Sequence, residues 1–298
     1  MHNKFRLMSA AYDREEESQK EFLEKRIFLS VEGNETEKSY FDGVSKNRAR
    51  IGINGKIDVE VLGRGRKDTN SAPRQVIELL EEYIRLREQN ENDILKELTD
   101  QFKETYSPDF IKQYLEDPEK IPKKQRNMFV TELKKIGYDI NYRKYLKKYN
   151  RELDEFAILI DRDKETHSEV NLSECINHCK DKGYKCYIVN PCFEFWLLMH
   201  LADIEKEFAG KLDKIKENKL LTDKHTFVSK EVSDRVHHGK KHINFVKNYM
   251  PYIDKAVEQA KKFPGDEKEL IDNIGCNLWK LMEELKMYPH SSTPSGTP

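Results

Sequence analysis

Glu155-Phe-Ala-Ile-Leu-Ile160, followed at once by Asp161-Arg162-Asp163, carries the architecture of this chain. A short unbroken apolar run bounded by charge suits a strand buried on both faces, the kind that helices cover in a parallel sheet. Working back toward the start, Arg26-Ile-Phe-Leu-Ser-Val31 is a second such run and ends in Glu32-Gly33. A helix from Thr36, carrying Tyr40, Phe41 and Val44, follows it. Lys56 to Leu62 alternates apolar and polar with period two, and Gly63-Arg-Gly-Arg-Lys67 turns it toward a helix opened by Ser71 and Pro73. In that helix Val76, Leu79, Leu80, Tyr83 and Ile84 recur at helical spacing.

Downstream, a helix from Leu172 to Lys182 stops at Gly183, and Lys185 to Val189 reads as a fourth strand. Asn190-Pro191 then caps the apolar helix Cys192 to His200. Strands alternating with helices define an α/β class, a Rossmann-like fold whose sheet has about four mainly parallel strands. The spacing divides the chain into a charged tail over 1–25, a first half-domain over 26–89 and a helical insertion over 90–151. A second half-domain covers 152–202. The region 203–289 is expected to hold helices only, notably Ile243 to Lys262 and Glu267 to Lys286, before a Ser/Thr/Pro/Gly-rich tail over 290–298.

Composition sets broad limits. The 298 residues hold 53 Lys and Arg against 54 Asp and Glu, a formal net charge of -1, so attraction to phosphate must come from local clusters. Mean hydropathy is -0.86, which places the polar excess on solvated helices. No stretch has the roughly 20 apolar residues of a membrane helix, and Met1 to Lys25 lacks the apolar centre of a signal peptide, so a cytoplasmic protein is expected. Five cysteines without framework spacing fit free thiols. Cys175, Cys179, Cys186 and Cys192 are either zinc ligands or small buried residues packing helix against sheet.

All strands of a parallel sheet present their carboxyl ends along one edge, where such folds place ligands. Two strands here run straight into acids, Val31 into Glu32 and Ile160 into Asp161 and Asp163. Neighbouring strands lie roughly 5 Å apart, so these acids can converge. Gathered carboxylates raise one another's pKa unless a cation sits among them, and Mg²⁺ or Mn²⁺ takes oxygen ligands of this kind. Glu194 belongs with them: its neighbours Phe193, Phe195, Trp196, Leu197 and Leu198 leave that helix little face for water. Taken singly, each acid has a plainer role: a solvated loop for Asp161 and Asp163, a ribose contact for Glu32, a first-turn dipole partner for Glu194.

Three segments together resemble the successive motifs of RloB-like proteins. They are Glu32-Gly33-Asn-Glu-Thr36-Glu37 with Tyr40-Phe41 behind it, Asp161-Arg162-Asp163, and Asn190-Pro-Cys-Phe-Glu194-Phe-Trp-Leu-Leu-Met-His200. Asn277-Leu-Trp-Lys-Leu281 resembles the family's end. That family is similar to toprim domains, in which a strand-end Glu and a following Asp-x-Asp bind Mg²⁺ for nucleic-acid cleavage or joining. The resemblance implies a toprim-like fold, Glu32, Asp161 and Asp163 as metal ligands, and Glu37 and Glu194 as further acids like those of the overcoming-lysogenization-defect nucleases. It implies Lys230 as a late lysine that neutralises developing phosphate charge. It also implies an endonuclease acting on DNA or RNA, tRNA included, as effector of an abortive-infection system with an ABC-type or SMC-like ATPase partner.

Basic clusters supply nucleic-acid contacts on this reading. Arg64, Arg66 and Lys67 follow the second strand at the same sheet edge, and Lys240 and Lys241 lie in His237-His-Gly-Lys-Lys-His242. Two other readings stand beside nuclease: a nucleotidyltransferase using the same metal site, and a non-catalytic adaptor of the ATPase. Homo-oligomerisation is left open.

Overall fold

A computed structural model describes residues 23–33, 35–62, 72–88, 91–135, 152–164, 167–223, 225–236 and 243–289. Most of the charged tail, the tail from 290, and the candidate contacts Arg64, Arg66, Lys67, Lys240 and Lys241 lie outside the described residues.

The chain divides into two compact units, and described residues 81–88 and 91–135 form the smaller one. The larger unit begins with β1 (Lys25–Val31), α1 (Thr36–Lys46) and β2 (Ile57–Val61); α2 (Pro73–Glu88) starts in it and ends in the smaller unit. The smaller unit holds α3 (Glu91–Phe102), α4 (Pro108–Glu116) and α5 (Lys123–Lys135). Its core is Phe129, ringed by Phe102, Tyr106, Phe110 and Tyr114 at centroid distances of 4.7 to 5.3 Å. Such edge-on packing gives a short helical segment a buried centre of its own.

The larger unit resumes with β3 (Glu155–Asp161), α6 (Glu169–Lys182), β4 (Lys185–Asn190) and α7 (Phe193–Leu201). Ser168 caps α6 through its side chain, and Gly183 ends it in the left-handed conformation at φ 73°, the geometry that the missing Cβ permits. The sheet order is β2-β1-β3-β4, all parallel, with a fifth strand, β7 (Gly275–Cys276), antiparallel beside β4. Helices cover both faces. Ile27, Leu29 and Val31 join the large core with Tyr40, Phe41 and Trp196, while Ser30 on the other face donates to the Val76 carbonyl of α2 at 2.8 Å. The α/β class and mainly parallel sheet therefore stand as read.

Beyond α7 the expectation of helices only is corrected. α8 (Ile204–Glu207) and α9 (Leu212–Glu217) lead to a two-stranded ribbon, β5 (Leu220–Thr222) and β6 (His225–Thr226), then to α10 (Phe227–Arg235). The expected helix Ile243 to Lys262 is α11 (Phe245–Asn248), a 3-10 turn over Met250–Tyr252 and α12 (Ile253–Ala260). Pro251, which lacks an amide hydrogen, accounts for the break. The expected helix from Glu267 is α13 (Glu269–Asp272), then β7, then α14 (Leu278–Met287). Here the side chain of Asn277, wholly buried, accepts the Ile188 amide at 2.7 Å and donates to the Cys186 carbonyl at 3.0 Å, extending the pairing that β7 makes with β4.

Asn190 is likewise the last residue of β4 and not a helix cap: its side chain donates to the Leu270 carbonyl at 2.8 Å, and Cys192 holds the cap position of α7. All five cysteines are free and buried.

Candidate functional site

Register brings the acids together. Val31 pairs with Leu159 and Asp161 with Val189, so β1, β3 and β4 end side by side at one edge. Glu32, one residue past β1, accepts the backbone amide of Asp161 through Oε1 at 3.2 Å. Glu37, in the first turn of α1, is buried and accepts the Gly33 amide at 3.0 Å. Asp161 in turn accepts the amide of Phe193, the first residue of α7, where the helix dipole favours an anion.

Burial pushes the Asp161 carboxyl well above its usual range; the charges of Glu32, Glu37 and Glu194 add to that shift, and the Phe193 amide opposes it. The end of β1, α1 and α7 therefore each bring a like charge to this group. Within α7 every residue is buried except Glu194 and Leu201, so Glu194 uses the gap the helix leaves in its first turn. The Cys192 thiol, fully enclosed, is pushed up by burial and by Glu194 and Asp161.

Two scaffolding features hold this arrangement. Burial lowers the pKa of His200 to about 3, so its ring is neutral; Nδ1–H donates to the Trp196 carbonyl at 2.9 Å and Nε2 accepts the Tyr40 hydroxyl at 3.0 Å. That bond ties α1, which carries Glu37, to α7, which carries Glu194. Arg162, 3% exposed, turns away from the acids, and its guanidinium donates to the Ile271 and His167 carbonyls at 2.6 and 2.8 Å. Arg162 thereby fixes the loop after β3, and His167 Nδ1–H donates to the Asp161 carbonyl at 3.0 Å. Neither role was legible beforehand; the marker in sequence is a long cation flanked by two acids on a buried strand end.

A cleft of about 820 Å³ opens over the acids. Asp161, Asp163 and Glu194 line it, with Lys164 and Lys216 as its lysines; Asn218, His225, Ser229 and Ser233 bring the C-terminal region to its far wall. Glu32 and Glu37 sit behind this lining. Lys230 is not on it: its ammonium pairs with Asp234 on the outer side of α10, while Ser229 and Ser233 of the same helix face the cleft. Trp196 is fully buried in the core.

The carboxylate oxygens of this set suit a hard divalent cation, gathered as they are around a group already burdened by like charge; the Cys192 thiol lines the same cleft. Among the described residues, no group of three or more His, Cys, Asp or Glu is arranged to hold a metal ion as it stands. Glu32 and Glu37 each accept a backbone amide, and of the five predicted acids Asp161, Asp163 and Glu194 are the ones that line the cleft. No described helix is long and apolar enough to cross a membrane.

Fold and site thus define an α/β protein that collects strand-end acids under a cleft at the carboxyl edge of its sheet. The model of the family described as "RloB-like protein" matches residues 27–285, and the chain belongs to that family. Neither the curated proteins nor the solved structures gave a match.

Proposed function

We propose that this chain is a divalent-metal-dependent phosphodiesterase that cleaves nucleic acid, the effector of an anti-phage defence system that works with an ABC-type or SMC-like ATPase. The observation that carries the reading is the gathering of Glu32, Glu37 and Glu194 around the buried Asp161 carboxyl, with Glu32 seated there by the Asp161 backbone amide at 3.2 Å. Such acids from remote parts of the chain are crowded at a cost, and a cation relieves it.

Asp161, Asp163 and Glu194 would hold Mg²⁺ or Mn²⁺, with Glu32 behind them. When bound, the ion supplies Lewis-acid stabilisation of phosphoryl charge and a more acidic water. The protein's own part is positional. The Phe193 amide orients Asp161, Glu32 fixes the start of the loop that carries Asp163, and Glu37 closes the turn after β1. Lys164 and Lys216 offer positive charge at the cleft wall for phosphate.

The test is incubation of the purified chain, alone and with its ATPase, with labelled DNA and RNA in Mg²⁺ or Mn²⁺, beside the Asp161→Asn variant and a chelator control. Cleavage confined to wild type with metal supports the reading. Absence of cleavage by wild type under every condition, or equal cleavage by the variant, overturns it.

A further inference from the structure

The cleft over the acids is too elaborate for a phosphate alone. Its floor is apolar where Leu197, Val232 and Tyr249 come through, each less than a tenth exposed. On the wall stand Ser233 of α10 and Asn248 of α11, both half-buried. Neither side chain makes a hydrogen bond among the described residues, whereas Ser229 nearby donates to the Thr226 carbonyl and Asn218 accepts the Val228 amide. A hydroxyl and an amide left open beside an apolar floor match a flat, partly polar ring: the floor takes its face and the open groups take its edge. The carboxylates lie in the same cleft, where the backbone phosphate attached to that ring would come to rest.

Volume decides between paired and unpaired substrate. At about 820 Å³ the cleft has the size of a small-molecule site. A base inside a duplex is covered on both faces by its neighbours and paired along its edge, so it cannot reach such a floor without leaving the stack. An unpaired nucleotide reaches it at a much smaller unstacking cost.

Resting on the proposed phosphodiesterase reading, we infer that the cleft seats one unpaired nucleotide of the substrate, its base on the Leu197 and Val232 floor, its edge read by Ser233 and Asn248, its phosphate toward Asp161 and Asp163. The substrate class is then single-stranded nucleic acid, or a loop or extruded base, and not an intact duplex.

The test is fluorescence anisotropy of the full chain with short labelled single strands, DNA and RNA, against the same sequences annealed to their complements as blunt, loop-free duplexes, with Ca²⁺ as the ion. Single strands should bind about tenfold more tightly, on the order of the gain from covering one base face with an apolar floor. Ser233→Trp, which fills the cleft, should abolish that preference, and Asn248→Ala should weaken single-strand binding about fivefold, the loss of one hydrogen bond. Neither should change Mn²⁺ binding followed by electron paramagnetic resonance. Equal binding of duplex and single strand, or unaltered single-strand binding by both variants, overturns the inference even where metal-dependent cleavage is present. Conversely, a wild-type chain that prefers single strands and responds to both substitutions, yet binds no Mn²⁺, retains the nucleotide site and loses the metal reading.

Discussion

The carboxylate of Glu37 lies directly over Gly33, so close that a Cβ on Gly33 would stand 2.2 Å from Glu37 Oε2. The same carboxylate accepts the Gly33 amide, so the turn leaving β1 and the buried acid of α1 define each other. Gly33→Ala should therefore expel the Glu37 side chain from its place. Because the clash is with the end of a side chain and not with backbone, the loss of stability should be modest, about 1 kcal/mol. The larger effect should fall on divalent-ion affinity. Urea unfolding and Mn²⁺ titration measure the two separately; an alanine variant with unchanged ion affinity would show Glu37 to be irrelevant to the site.

Asp161 makes the apo protein sensitive to pH in a defined direction. Its folded pKa is raised by burial and by Glu32, Glu37 and Glu194, so between the ordinary Asp value and the raised one the folded state holds the proton more tightly than the unfolded state. The contribution is full below that window and is lost as pH rises through the raised pKa. In chelator, Asp161→Asn should thus unfold at a higher temperature than wild type at neutral pH, and the difference should vanish below the ordinary Asp range. Added Mn²⁺ should restore wild type and leave the variant unmoved. Melting curves from about pH 3 to 8 settle it; a variant less stable than wild type in chelator at neutral pH contradicts the crowding of acids.

At the opposite end of the sheet, Lys25 donates to Glu155 at 2.7 Å and to Glu284 at 2.9 Å, and Lys185 pairs with both acids. Burial alone would raise the Glu155 pKa, but hydrogen bonds from Lys185 and Lys25 outweigh it and hold the carboxyl below its ordinary value. Its contribution is present above the unfolded pKa and lost as pH falls through the folded one. Glu155 is 33% exposed, so solvent screens part of this. Glu155→Gln should cost about 1 kcal/mol at pH 7, and progressively less as pH falls through the lowered folded pKa. A double-mutant cycle with Lys185→Met that shows no coupling would dissolve the network.

Much of this molecule is written in local pattern. β1, β3 and β4 announce themselves as apolar runs because both faces of the sheet are covered, and their terminal acids follow from strand ends alone. Glu194 was legible for a related reason: α7 is apolar all round, so its single charge had to leave through a gap. What escaped detection depends on distant partners. β7 is two residues long and carries no periodicity; it exists because Asn277 and Gly275 meet β4 some eighty to ninety residues away in sequence. The ribbon of Leu220–Thr222 and His225–Thr226 is equally short, and the far wall of the cleft could not be seen until α10 packed against α7. Pro251 was a visible break that the helical periodicity on either side of it concealed. Lys230 was placed by resemblance alone, and its helix shows Ser229 and Ser233 on the cleft face instead.

Asn277 gives the last prediction, and it concerns how the edge of the sheet is kept. Its amide group satisfies the Ile188 amide and the Cys186 carbonyl at once, deep in the core, where water has no access. Alanine would remove these two bonds, and a longer one that Asn277 donates to Glu267 Oε1 at 3.3 Å, and leave two backbone groups desolvated, each at about 1–3 kcal/mol. Asn277→Ala should therefore lower the unfolding free energy by about 2–4 kcal/mol, while Asn277→Asp keeps the acceptor for Ile188 but meets the Cys186 carbonyl with a second acceptor and should be no better. Because Asn277 lies on the far side of β4 from β3, the acids at the carboxyl edge should keep their arrangement in whatever fraction stays folded. Urea midpoints read the first effect and Mn²⁺ affinity of the folded fraction the second. An alanine variant with an unchanged midpoint would mean that the β7 pairing, and not this side chain, holds the edge of the sheet.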